Sequence, residues 1–228
     1  VRDQLVKKTI PSLLCILFLA TSAAASASTA SFPKLVAETQ RMHQTATEIV
    51  LVWWLPNEFW ELTLADNPNV TESQRRDVLA VLDGYSIFVV AAMDIGPFGG
   101  ITSRPESTIR DHTEFRIGDK RLAPLTRAEI SIDAANFVSM MKPMMANMLG
   151  QFGEGMMFLV YPNGGGSGAP KIGAKADGSF DYTAFGQRFE WKLPLPSVLP
   201  PMIDPETGQE FQGDFRFNPY TGGKLKPK

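Results

Sequence analysis

Apolar positions fall into short blocks separated by turn residues. Glu48–Leu55 (EIVLVWWL), Tyr85–Met93 (YSIFVVAAM) and Met156–Tyr161 are continuous β-branched and aromatic runs. Runs of that length and composition read as buried strands. Between the first two, Glu58–Leu64 reads as a short helix. Thr71 with Gln74 three residues later forms a capping-box pair opening a second helix, which ends at Gly84. Lys34–Gln44 reads as a further short helix, and Thr108–Ile117 alternates as a strand. Gly118-Asp119 then turns the chain into Lys120–Leu125. Asp133 is placed to cap a helix running to about Phe152, which Pro143 is expected to kink or split. Gly186–Leu195 reads as one more strand before the proline-rich stretch Leu193–Pro201. Strands and helices without strict alternation predict an α+β fold, a mixed sheet with packed helices.

The first residues differ in character. Arg2, Lys7 and Lys8 precede an apolar stretch, Leu13–Ala25, and then Ala25-Ser26-Ala27. This is the order of an export leader, with cleavage expected after Ala27. The apolar stretch falls short of the roughly 20 residues that span a bilayer. No later segment is long and apolar enough to be a transmembrane helix. The expected division is therefore a signal peptide at 1–27, a main domain at 28–199 and a separate tail at 200–228. The expected location is periplasmic or extracellular, in a bacterium.

Composition narrows the partners. The chain has 228 residues and a formal charge of −2; Arg2, Asp3, Lys7 and Lys8 lie in the leader, leaving the rest at −4. An acidic domain without a basic tract predicts no nucleic-acid partner. The single cysteine, Cys15, lies in the leader, so the remainder is expected to have no disulfide and no thiolate ligand.

Four groups of residues invite a functional reading. Asp94 sits at a strand end before Gly96, Gly99 and Gly100, with Ser103 and Arg104 following; a glycine-rich turn beside a strand end suits a small ligand. The alternative is a tight turn over the sheet. Met141, Met145 and Met148 share a helix face, and thioether sulfur suits Cu(I); Phe137 and Val138 beside them favour a core helix instead. Trp53, Trp54, Phe59 and Trp60 with Glu58 and Glu61 could face a sugar. Two carboxylates three residues apart share one helix face, however, which favours a core anchor with a solvated acidic edge. His43 and His112 are the only histidines. No GxSxG or HExxH accompanies them, and Ser167 lies in a Gly/Ser loop unsuited to a preorganised nucleophile.

The tail carries an internal repeat. Asp204-Pro205-Glu206-Thr207-Gly208 recurs as Asn218-Pro219-Tyr220-Thr221-Gly222. The pattern resembles a zinc ribbon, whose two knuckles each read Cys-Pro-x-Cys-Gly, with Asp204, Thr207, Asn218 and Thr221 standing where the cysteines would be. The resemblance covers about the last twenty residues and implies a metal-free β-hairpin docked through its phenylalanines, with an interaction role. Four thiolates make the zinc site; one carboxylate, one amide and two hydroxyls do not. No cofactor is expected. The leading expectation is a non-catalytic binding or envelope-associated domain with an unknown protein or small-molecule partner. A small-molecule-binding protein or enzyme built on the Asp94 loop and Cu(I) handling by the methionine helix are the alternatives.

Overall fold

A computed structural model describes residues 32–65, 67–149, 153, 155–164 and 168–228. The leader, the expected helix end at Phe152 and Ser167 lie outside them. The α+β class holds, and the mixed sheet of the sequence reading resolves into three sheets whose pairings are all antiparallel.

The first sheet is built on β3 (Tyr85–Ile95). On one side it pairs along its length with β2 (Glu48–Leu55), which in turn pairs with β1 (Gln40–Gln44). On the other side it pairs first with β7 (Met156–Pro162) and then with β4 (Ile101–Ser103). The second sheet runs β6 (Lys120–Leu122), β5 (Thr113–Ile117), β8 (Gly178–Ala184), β9 (Gln187–Leu193). The two sheets pack face to face. Alternation on β2 and β3 sends Trp54 and Phe88 toward the second sheet, where Phe88 meets Phe115, Phe180, Tyr182 and Trp191.

The opposite face of the first sheet carries helices. Trp53 packs edge-on against Phe59 of α2 (Asn57–Ala65), and its indole N–H donates to Thr39 at the end of α1 (Phe32–Thr39). Trp60 reaches Phe137 of α5 (Ile132–Leu149). The helix α3 (Glu72–Leu82) opens on the capping box read from the sequence, with Thr71 and Gln74 bonding each other's backbone N–H.

Three expectations are corrected. Lys34–Gln44 is not one helix: the chain leaves α1 at Thr39 and enters β1, whose residues pair with the apolar run of β2. Thr108–Ile117 is not one strand: α4 (Glu106–Asp111) precedes β5, with His112 capping it. Ser131, rather than Asp133, caps α5, its hydroxyl accepting from Ala134 N–H. Pro143 does not split α5, which runs through it as one helix.

The tail forms a small third sheet, with β10 (Met202–Ile203) between β11 (Glu210–Phe211) and β12 (Lys226–Pro227).

Candidate functional site

The residues around Asp94 come together as read, and they satisfy one another. Strands β3 and β4 form a hairpin closed by Gly96 N–H to Gly100 O at 2.8 Å and Gly99 N–H to Gly96 O at 2.9 Å, with Gly99 at φ 81°. Arg104 Nη2 donates to Asp94 at 2.6 Å and to Glu48 at 3.0 Å, and its Nε adds a further bond to Asp94 at 3.1 Å. The hydrogen bond from Arg104 holds the Asp94 carboxyl below its usual range and raises the guanidinium above its own. The guanidinium also lies over the Phe185 ring at 4.5 Å. Phe185 is the first residue of the β8–β9 turn, at φ 50°, with Gly186 at 77°; its ring stacks on His112 at 5.2 Å and its N–H donates to His112 O at 2.9 Å. Ser103 lies against Gly155, where a Cβ would stand 2.1 Å from its hydroxyl oxygen. The cluster therefore works as a latch: an arginine shared by two acids ties the first sheet to the turn of the second. That chemistry leaves little cation for an anionic ligand.

Met141 and Met145 are buried in the main core with Phe137, filling space between α5 and its neighbours. The side chain of Met148 lies outside those described. Trp53, Trp54, Phe59 and Trp60 are all buried, and Glu58 accepts the Ala174 N–H at 3.1 Å, a backbone anchor.

The two repeated pentads of the tail adopt one geometry. Asp204 Oδ1 accepts from Glu206 N–H at 2.9 Å, and Asn218 Oδ1 accepts from Tyr220 N–H at 2.8 Å. Gly208 N–H reaches Asp204 O and Gly222 N–H reaches Asn218 O, each at 2.8 Å, with the glycines at φ 72° and 74°. The Thr207 and Thr221 hydroxyls accept from Gln209 and Gly223 N–H. Asp204 and Asn218 face each other, 4% and 3% exposed, and the Asn218 amide donates to the Asp204 carboxylate. These bonds hold the Asp204 carboxyl below its usual range. Of the phenylalanines expected to dock the hairpin, Phe217 is 58% exposed, Phe211 and Phe215 stack on each other at 6.4 Å, and Phe211 shares a cleft with Lys34, Pro196 and Leu199 of the main domain. Contact with the main domain also runs through Gly213. A Cβ on Gly213 would stand 2.3 Å from Leu199 Cβ and 2.6 Å from Pro200 O. Gly213→Ala is therefore expected to lift the tail off the 199–201 segment, because neither backbone nor Cβ can yield as a flexible side chain would. Limited proteolysis should then cut near residue 200 faster than in the wild type, while the main thermal transition stays put. Equal cleavage rates would show that the contact carries no weight.

Sequence reasoning missed a cleft walled by strand and strap residues. It opens at one end of the sheet sandwich and measures about 400 Å³. Trp54 and Pro56 from the end of β2, Glu58 from α2 and Ser86 from the start of β3 form one wall; Lys171–Ala176 forms the other. This second wall is a strap without regular structure, fixed by side chains and by a backbone bond from Leu195 N–H to Ala174 O at 2.7 Å. Asn163 donates to Ile172 O at 3.0 Å and accepts from Ile172 N–H at 2.7 Å, a side chain standing in for a strand partner. Asp83 accepts from Asn57 at 3.1 Å and pairs with Lys171 at 2.6 Å. Lys175 lines the cleft with no ion-pair partner among the described residues. The wall also holds a buried hydroxyl: Ser86 is 2% exposed and its Oγ has no hydrogen-bond partner among the described residues. A serine inside an otherwise apolar strand run, YSIFVVAAM, was the available signal.

Among the described residues no group of three or more His, Cys, Asp and Glu could hold a metal ion, and no helix is long and apolar enough to cross a membrane. No family model matches the chain, and no curated protein or solved structure matches it.

Proposed function

We propose that this chain is an exported, non-catalytic binding protein whose cleft between β3 and the 171–176 strap holds a small polar ligand. The observation that carries the reading is Ser86. An unpaired buried hydroxyl costs stability, and native structures hold few of them. Ser86 lines the cleft, as do Glu58 and Lys175, which offer one charge of each sign. No histidine lines the cleft among the described residues, and its acids are engaged with backbone or with Lys171, which suits binding better than proton transfer. Thermal shift against amino acids, sugars, nucleosides and dicarboxylates should find a stabilising class, since a ligand of the folded state raises the melting temperature. Ser86→Ala should then act in opposite directions. It removes an unpaired polar group, so the ligand-free protein is expected to gain about 1 kcal/mol. Calorimetric affinity for the stabilising compound is expected to fall about tenfold, one hydrogen bond's worth. Unchanged affinity in Ser86→Ala would remove the hydroxyl from the site, and a panel without a stabilising class would sink the reading.

The tail supports a second reading. We infer a ribbon in which the Asp204–Asn218 bond takes the place of the metal, so that the knuckle geometry persists on Asx turns alone. Phe217 and Tyr220, both exposed, then form a contact surface for a protein partner.

A further inference from the structure

A second surface, independent of the cleft, lies along the outer edge of β7. Among the described residues this strand pairs with β3 only. Among the described residues, the one bond added along its other edge is Leu125 N–H to Val160 O at 2.7 Å. The Val160 backbone therefore points away from β3, and with a period of two so does that of Phe158. The N–H and C=O of Phe158 stand where a further strand would bond them. Unpaired edges of this kind are usually blocked by charge, a bulge or a covering element; here Phe158 is partly exposed between buried neighbours.

Here the edge opens into a groove of about 270 Å³ between α4 and α5. Its floor is apolar, with Leu125, Ile130, Val138 and Phe158. Its rim carries Arg110, Arg127 and Lys142 against one acid, Glu106, which stands 4.0 Å from Arg110. Arg127 and Lys142 have no ion-pair partner among the described residues. A cationic rim on a chain that is acidic overall is complementary to acidic partners and opposed to a second copy of the same chain.

We infer that β7 accepts an extended acidic segment of a partner protein as an additional strand. Main-chain bonds to Phe158 would hold it. Its alternate side chains would meet the apolar floor, and its carboxylates would meet Arg110, Arg127 and Lys142. The test uses the full chain and a fluorescein-labelled peptide alternating glutamate and valine, read by anisotropy. The expected result is saturable binding that weakens with salt. Affinity should fall more than about tenfold with the double variant Arg127→Glu, Lys142→Glu, both exposed positions, whose unchanged melting temperature would show an intact fold. N-methylation of the peptide's valines should abolish binding by removing main-chain donors, and replacing its glutamates with lysine should do the same by charge. Equal binding of the N-methylated peptide would overturn strand addition in favour of charge alone. Absence of binding, or self-association of the protein that the same charge reversal abolishes, would overturn the acidic partner.

Discussion

Phe88→Ala is expected to destabilise the protein by about 3–5 kcal/mol, the largest effect of any single truncation considered, because a fully buried aromatic leaves both a transfer loss and a cavity. Phe88 is 0% exposed and sits where the two sheets meet. It stacks on Tyr182 at 4.5 Å and tilts against Phe115 at 4.9 Å, with Tyr161, Phe180 and Trp191 completing the ring of aromatics. The walls of that cavity belong to both sheets, which cannot close together without shifting strand registers. At roughly 2–4 °C per kcal/mol for a chain of this size, the melting temperature should fall by about 10 °C. Phe88→Leu keeps most of the volume and should cost less than half as much. A drop of only a degree or two for Phe88→Ala would mean that the sheets are not held by this contact.

Asn163→Ala is expected to be the most damaging change at the cleft. The amide satisfies both backbone groups of Ile172, a buried residue, and nothing else among the described residues bonds them. Leaving the Ile172 N–H and C=O unpaired costs about 1–3 kcal/mol each unless the strap moves out to water. Movement of the strap takes Ile172 and Lys175 away from Ser86, so ligand binding should be lost even if the protein stays folded. Asn163→Asp retains the acceptor for Ile172 N–H and loses the donor, so its loss should be intermediate. Hydrogen exchange at Ile172 and Ala174 reads the effect directly. Unchanged protection in Asn163→Ala would show that the strap is held by other contacts.

Elements whose cores are continuous apolar runs were legible in the sequence. The three buried strands, the capping box at Thr71 and Gln74 and the repeat in the tail are where their residues suggested. What stayed hidden has identifiable causes. Strand β1, QRMHQ, carries almost no apolar signal and exists because β2 offers it an edge, so tertiary pairing overrides local propensity. Strand β8 did alternate, with Phe180, Tyr182 and Ala184 inward, but glycine and charged residues around it masked the period. Division of the strands between two sheets has no local signature at all. The Asp94 loop was visible because glycines punctuate it. Its latch was not, since Glu48 and Phe185 come from elements 46 residues before and 91 residues after Asp94. The cleft depends on a strap held by Asn163, Glu58 and the backbone of Leu195, and a strap of that kind leaves no periodic trace.

The order in which the chain visits its layers has a consequence for folding. It builds β1 to β4 in one sheet, crosses to the other for β5 and β6, returns for β7 and crosses again for β8 and β9. Strand β3 thus waits for β7, and β5 for β8, whose pairing joins Thr113 to Ala184. Until the later strands emerge, an N-terminal portion of the chain carries two bare edges flanked by its most apolar runs, the arrangement that favours intermolecular pairing. Neither sheet is an independent folding unit, and non-local pairing of this kind slows closure. The main domain should therefore fold late and all at once, with aggregation of the incomplete chain as its principal competitor.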